Sequence, residues 1–442
     1  MAGISRRIVL RTSVGAVTAA SYSRILGANE RVQVAVIGTG ARGAGYVRSL
    51  RSNTSVTVTG LCDIYGRKLA AARQFAPEAA VFSDHRSVLE MKNLDAVFIT
   101  TPDHWHVPIS LDAVSAGKDV YCEKPVTLKI GEGAALQRAV RAGKRVFQSG
   151  MQQRSMAHYK IARDEYVKAG KLGHVTFVRT WWHGSVRSFV KPVPPELEKQ
   201  PADLDWKRFV APVDPKRPYQ PYQYNCFRAF LDFGGGQFTD LFAHWVDVAH
   251  MVMGEDIPTA ASAVGGVWIP EYQHDGSGRT APDTVSAHLT YPGGWTCTFD
   301  ATLAAGIDSA GVEFYGAQGR LFITRSGFEF TPVDKDAQAA YLRPGGGRGV
   351  PRGPRPPGAR DVAQAGEPFS LQPRRDPNTV AVRAEGSDQH INNFLDCIKT
   401  RKDPNATVED GIHAALASHL CTLSYLQNRR LRFHPLKQRV IG

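Results

Sequence analysis

Cysteine is scarce in this 442-residue chain: Cys62, Cys122, Cys226, Cys297, Cys397 and Cys421 are scattered, with no C-x-x-C pair among them. That spacing builds neither a zinc knuckle nor a disulfide framework, and several of the six lie in apolar runs, where cysteine reads as a small buried hydrophobe. Long apolar runs are missing too, so stable membrane insertion of the mature chain is not expected. No internal repeat is visible, and no group of His, Cys, Asp and Glu has metal-ligand spacing, so no metal is expected. Acid is in deficit: 41 Asp and Glu face 54 Lys and Arg, for a formal charge of +13. The excess collects in two places, a leader (Arg6, Arg7, Arg11, Arg24) and the run YLRPGGGRGVPRGPRPPGAR at 341–360. With no aromatic-basic stripe or RNA-binding signature beside it, this charge does not point to nucleic acid.

What is present suits a globular chain of two domains, with 43% hydrophobic residues over a length too great for one ordinary core. The first 30 residues are expected to be set aside from the fold. Ser5-Arg6-Arg7 followed by Ile8-Val9-Leu10-Arg11, then a short mildly apolar segment, is a twin-arginine signal pattern. It implies a periplasmic or otherwise exported protein that crosses the membrane folded, often with its cofactor already loaded. The cysteines would then meet a reducing cytosol first and stay free.

Directly after the leader, VQVAVIGTGARGAGYVRSL joins a β-branched run, Val32 to Ile37, to a G-x-G-x-x-G at Gly38, Gly40 and Gly43 and a helix-like segment. The first glycine allows a tight turn, the second lets backbone approach a pyrophosphate, and the third lets helix pack on strand. The intervening Thr39, Ala41 and Arg42 belong to the same cradle, whose helix start offers N–H groups to phosphate. VTVTGLCD then ends in Asp63, 20 residues beyond Gly43, where a carboxylate grips ribose hydroxyls and repels a 2′-phosphate. NAD is favoured over NADP, although Arg67 four residues later softens that preference. The alternation continues through Ala96 to Thr100 and a strand ending at Cys122. Function in such sheets gathers at the carboxyl ends of strands, which puts Thr101, Pro102, Asp103, His106, Glu123, Lys124 and Pro125 on the cofactor edge.

A second constellation is GGGQFTDLFAHWVD at 234–247. Asp240 and His244 are four apart in a helix-like stretch, about one turn, so a carboxylate and an imidazole should share a face and be able to handle a proton.

These pieces together carry a resemblance. GTGARG at 38–43, CD at 62–63, TPDHWHVPI at 101–109, CEKPVTL at 122–128, DFGGGQFTDLFAHWVDVAHMVMG at 232–254 and the tail from HINNFLDCIKT onward resemble the glucose-fructose oxidoreductase / inositol dehydrogenase (Gfo/Idh/MocA) family over nearly the whole mature chain. The resemblance implies an α/β protein: an N-terminal Rossmann domain (31–150) and a C-terminal α/β domain (151–442) with a large, mostly antiparallel open sheet. Segments such as HVTFVRTWWH, AASAVGGVWI, DTVSAHLTYP, GWTCTFDATL and GVEFYG would supply its strands, and its exposed face would make a homo-oligomer. By the same resemblance Lys124 stands near the nicotinamide and the reacting hydroxyl, while Asp240 and His244 contact substrate and handle its proton. Hydride leaves carbon only as the hydroxyl loses a proton, so a base near neutral pKa is wanted and His244 is the expected supplier, with Asp240 holding it or gripping a hydroxyl. Gln152 stands where the family has an asparagine on the nicotinamide side. Arg154, Trp182, His183, Tyr224 and Arg228 are candidates for a sugar pocket, since aromatic faces and multidentate donors suit polyhydroxyl ligands. His390 reads as a helix cap, and the Pro/Gly/Arg-rich stretch 333–384 as a long mobile surface loop.

The expected activity is hydride transfer between a sugar, glycoside or cyclitol hydroxyl and NAD. Two alternatives stand beside it. Export separates the protein from a soluble NAD pool, which suits a redox-neutral NAD-dependent glycoside hydrolase that returns its hydride; the other is a catalytically idle, NAD-stabilised glycan binder.

Overall fold

Val32–Ile37 is apolar except at Gln33 and buried everywhere else, as a strand covered on both faces must be. In the computed structural model it is β1, at the middle of a six-stranded parallel sheet. The structure describes residues 31–184, 191–273, 276–304, 306, 309–333, 379–383, 389–435 and 439–441. The leader at 1–30 and residues 334–378 and 384 of the expected loop lie outside these. Chain order in the first sheet is β1, α1 (Ala41–Arg51), β2 (Val56–Cys62), α2 (Gly66–Arg73), β3 (Ala80–Phe82), α3 (His85–Leu89), β4 (Ala96–Ile99), α4 (His106–Ser115), β5 (Asp119–Cys122), α5 (Gly133–Gly143) and β6 (Phe147–Ser149). The spatial order is β3-β2-β1-β4-β5-β6. That order reverses direction between β1 and β4, which opens a crevice at their carboxyl ends.

The second sheet has ten strands: β7 (Val175–His183), β8 (Ala260–Gly266), β9 (Thr284–Thr290), β10 (Thr296–Thr302), β11 (Ser309–Gly316), β12 (Gly319–Thr324), β13 (Gly327–Pro332), β14 (Val380–Arg383), β15 (Leu431–His434) and β16 (Arg439–Ile441). They lie in the order β14-β13-β12-β11-β7-β10-β9-β8-β15-β16. Only the β7–β10 pair is parallel. Val380–Arg383 corrects the expectation of a structureless stretch as far as 384, because it pairs antiparallel with β13 as an edge strand.

One face of this sheet is covered by α6 (Ala243–Met253), which precedes β8, and by α8 (Val408–Gln427), a long C-terminal helix. Every residue of α6 from Ala243 to Val252 is buried, so this is an interior helix and not an amphipathic one. Trp245, Val246, Val248 and Ala249 meet Leu420 and Cys421 of α8 and Phe299 and Leu289 of the sheet in one core. Each such large side chain contributes roughly 1.5–3 kcal/mol by its burial. Thr407 starts α8 with a capping box: its hydroxyl accepts the Asp410 N–H while the Asp410 carboxylate accepts the Thr407 N–H.

Between β14 and α8 the chain returns to the first sheet. Phe394, Leu395, Cys397 and Ile398 of α7 (Gln389–Thr400) pack with Val34, Val36, Phe98 and Tyr121. His390, expected as a cap, is buried instead, with Nδ1 on Ser155 Oγ and Nε2 on the Ser149 carbonyl. All six cysteines are buried.

Candidate active site at the carboxyl edge of the first sheet

Gly38 ends β1 at φ +90, and a Cβ there would lie 2.7 Å from Thr101 N. At Gly43 a Cβ would collide with the Gly38 carbonyl, so α1 can approach β1 only without a side chain. Gly40 faces open space. No side chain caps α1, its first turn carries no acid, and Ala41 and Arg42 are exposed. The Asp63 carboxylate is set at the end of β2 by Thr39 N (2.6 Å) and Thr39 Oγ1 (3.2 Å) on Oδ2 and by Tyr65 N (2.9 Å) on Oδ1, leaving acceptor capacity on Oδ1. Thr101 Oγ1 is buried without a partner beside this turn. A close-approach turn, an uncapped helix start and a fixed ribose-side carboxylate fit a dinucleotide. The Arg67 guanidinium, expected to soften the cofactor preference, lies 2.8 Å from Glu196 in an exposed ion pair.

Below the cradle lies a network that the sequence only half disclosed. Glu123 at the end of β5 points inward. Its Oε1 accepts from Arg42 Nε (2.7 Å) and Tyr46 OH (2.6 Å), and Gln152 Nε2 reaches the same oxygen (3.2 Å) and Tyr121 OH (3.1 Å). Burial pushes Glu123 up, but Arg42 and Tyr46 outweigh it and hold the carboxyl below its ordinary range. The amide of Gln152 is thus bonded within the protein. Glu123 and Gln152 tie helix α1 to the Lys124 loop, and Tyr46 and Tyr121 complete the tie.

Lys124 follows, joined to Pro125 by a cis peptide bond. Its ammonium donates to the Asp240 carbonyl and, at 2.6 Å, to Asp240 Oδ1; Arg228 Nε donates to the same oxygen at 3.0 Å. Burial pushes Asp240 up, yet Arg228 and Lys124 hold it well below the carboxylate range. The expected Asp240–His244 pair is corrected here. Phe238–Phe242 is a π-helical turn running into α6, so Asp240 sits on a wider turn than an α-helix provides and bonds Lys124 and Arg228 in place of the imidazole. His244 Nδ1 is buried with no partner. Burial, then the charges of Lys124 and Arg325, push His244 well below its ordinary value, so it is neutral across the physiological range and not poised near it.

The three glycines before this turn are each crowded by the protein itself. A Cβ on Gly235 would meet the Thr239 hydroxyl, and Gly236, at φ +67, would strike Ala281 at 2.7 Å.

Several further assignments are corrected by burial. His106, expected at the cofactor, is buried with Nδ1 2.7 Å from the Pro125 carbonyl and Nε2 2.9 Å from that of Thr101, so both ring nitrogens face the protein and the ring joins the two site loops. Arg154 does not line a sugar pocket, because its Nε lies 2.8 Å from Asp247 and its NH1 2.9 Å from Asp410. Tyr224 belongs to an apolar cluster with Tyr65, Trp206, Phe209 and Phe233, and is edge-on to Tyr65 near the ribose side. Arg228 joins the ion cluster as described. Trp182 lies under Arg325, which also covers Trp245, and the indole nitrogens of both are buried without partners. His183 ends β7, its backbone paired with Thr302 and Ser309. Pro102 precedes the turn Asp103–Trp105, its carbonyl accepting from Trp105 N. Arg325, on the β12–β13 turn, had no signal in the sequence. Among the described residues no group of His, Cys, Asp and Glu is arranged to hold a metal, and no helix is long and apolar enough to cross a membrane.

Comparison with known proteins fits this geometry. Residues 32–151 match the model of the oxidoreductase family with an NAD-binding Rossmann fold, and residues 211–322 match the GFO/IDH/MocA C-terminal domain. The chain belongs to the Gfo/Idh/MocA family. Inositol 2-dehydrogenase of Salmonella paratyphi B is 30% identical over 153 residues, covering 33% of this chain and 44% of that protein. Levoglucosan dehydrogenase of Pseudarthrobacter phenanthrenivorans is 27% identical over 215 residues, covering 49% and 46%. The chain thus spans a little under half the length of these curated relatives. A solved levoglucosan dehydrogenase, in complex with NADH and levoglucosan, shares the fold with a TM-score of 0.64 at 18% identity, over 91% of this chain and 99% of that one. NAD is accordingly the cofactor of the family's Rossmann domain.

Proposed function

We propose that this chain is an NAD-dependent oxidoreductase that moves a hydride between a carbohydrate or cyclitol hydroxyl carbon and the nicotinamide. The observation that carries this reading is the junction of the two domains. Lys124 from the cofactor edge of one sheet bonds Asp240 from the helix under the other, beside a neutral His244 whose Nδ1 lacks a partner. Relatives named for inositol and for levoglucosan support a cyclic polyhydroxyl substrate.

Gly38, Gly40, Gly43 and Asp63 would hold the dinucleotide, and bound NAD supplies the hydride acceptor. The chain's own residues supply the rest. The Lys124 ammonium stabilises negative charge developing on the reacting oxygen. His244, kept neutral, accepts the hydroxyl proton. Asp240, fixed as a carboxylate by two cations, aims the lysine. Titrating the purified protein with NAD by calorimetry, then following absorbance of the reduced nicotinamide with myo-inositol, levoglucosan and pyranosides, tests the reading. Absence of any dinucleotide binding would overturn it.

Two further parts of the reading are independent of that assay. The twin-arginine pattern of the leader supports export, to be checked by fusing residues 1–30 to a reporter exported only by that route. Phe177, Trp181, Tyr315 and Phe322 lie together on the sheet face away from α6 and support a homo-oligomer through that face, to be measured by light scattering.

A further inference from the structure

Asp103 opens the turn Asp103–Trp105 just past the carboxyl end of β4, two residues beyond Thr101 at the point where the strand order reverses. It is 4% exposed, and its Oδ2 is buried with no hydrogen-bond partner. Its neighbours in the same turn are fully engaged. The His104 ring nitrogens face the Phe209 and Phe233 carbonyls, one of them as the single N–H donor of the neutral ring, and Trp105 Nε1 donates to Phe209 as well. The turn is therefore anchored from behind while one carboxylate oxygen is left wanting a donor, a feature uncommon in native interiors and one that calls for a function. The charges that act on Asp103 come from three separate elements: Arg228, Asp240 and Lys124, the members of the ion cluster. Lys124 and Arg228 both spend their printed bonds on Asp240, and neither bonds Asp103, which leaves Oδ2 open to a donor carried by a ligand.

We propose that Asp103 is a specificity residue of the substrate pocket, its free Oδ2 accepting a hydrogen bond from a hydroxyl adjacent to the one being oxidised, so that vicinal diols are selected over singly hydroxylated carbons. This rests on the oxidoreductase reading above. Lys124 and His244 serve the reacting hydroxyl, and Asp103 bonds neither. A pocket built around an acceptor discriminates strongly against an analogue lacking the matching donor, because the carboxylate is then buried unpaired. Burial also pushes Asp103 up to about 7, with Arg228 opposing, Asp240 adding to the rise and Lys124 opposing. Asp240 and His244 both titrate well below that value. Acceptance of the bond should therefore strengthen as pH rises through about 7, and that trend should vanish when the carboxyl is replaced.

The test uses the NAD-loaded protein and a panel of cyclic polyols and pyranosides that includes myo-inositol and levoglucosan, each beside its adjacent monodeoxy analogue. Asp103→Asn keeps the shape and Asp103→Ala removes the group; melting temperatures establish that both fold. The expected result is a KM for the diol raised about 10- to 100-fold with kcat changed less than about threefold, as for loss of a hydrogen bond to a charged acceptor. The preference for diol over deoxy analogue should collapse toward unity in both variants, while the calorimetric Kd for NAD stays within about twofold. An unchanged preference overturns the proposal. So does weakened NAD binding with the preference intact, which would make the nicotinamide carboxamide the donor. If the wild type binds NAD but oxidises nothing in the panel, the oxidoreductase reading fails, and this proposal fails with it.

Discussion

Asp240 and Asp247 lie seven residues apart on one continuous helical stretch, 7% and 1% exposed, and each is bonded to a cation. Their charge states nevertheless diverge. Asp240 has two cations on one oxygen, Lys124 and Arg228, and is held as a carboxylate. Asp247 shares Arg154 with Asp410; burial pushes it up to about 7, Arg154 opposes, and Asp410 adds to the rise. Burial alone does not set the role of an acid. The ratio of cations to acids does, and here it separates a carboxylate that must stay charged beside a reacting group from one that, through Arg154, knits the turn at 152–155, α6 and α8 together.

The largest test of this contrast is Lys124→Met. It should lower kcat/KM by roughly 10³-fold or more, measured by initial rates, because both the stabilised oxygen and the lysine's tie to Asp240 go. A drop under tenfold would remove Lys124 from the chemistry. Arg154→Met should leave NAD affinity alone yet cost about 3–5 kcal/mol in denaturant unfolding, since the buried Asp247 and the half-buried Asp410 lose their shared cation. Arg228→Met should be milder, raising KM about 10- to 100-fold, as Lys124 still holds Asp240. If it has no kinetic effect, the second cation is structural. The smallest effect concerns pH. A carboxyl whose pKa is higher in the folded than in the unfolded state binds extra protons when native, so its contribution to stability falls as pH rises from its unfolded pKa toward about 7. Asp247→Asn should therefore gain on wild type by a few degrees in melting temperature as pH is raised from about 5 to about 8. A difference that stays constant with pH would mean Asp247 is ionised throughout.

Much of the first sheet was legible. An unbroken β-branched run before G-x-G-x-x-G and an acid 20 residues later admit few structures other than a strand, a close turn and a second strand. The second sheet was read only where apolar alternation was long, at β7 to β11; β14 escaped because Val380–Arg383 is short and follows a Pro/Gly/Arg-rich stretch. Within the site, Lys124 and Asp240 were named, but their bond to each other was not, and His244 was assigned a near-neutral pKa that burial removes. Arg154 and Tyr224 were misassigned for one reason: the chemistry that suits a sugar also suits a buried ion pair or an aromatic core. Asp103 sat in a motif already noticed, and only its unpartnered oxygen distinguished it.

Local order alone determined the cradle, because strand, turn glycines and helix start are consecutive and their geometry follows from backbone sterics within some 30 residues. Which charges meet was decided by tertiary structure. Lys124 and Asp240 are 116 residues apart and Arg154 and Asp247 are 93 apart, and whether an acid ends up with two cations or half of one depends on how two sheets and their helices pack, which no local pattern encodes.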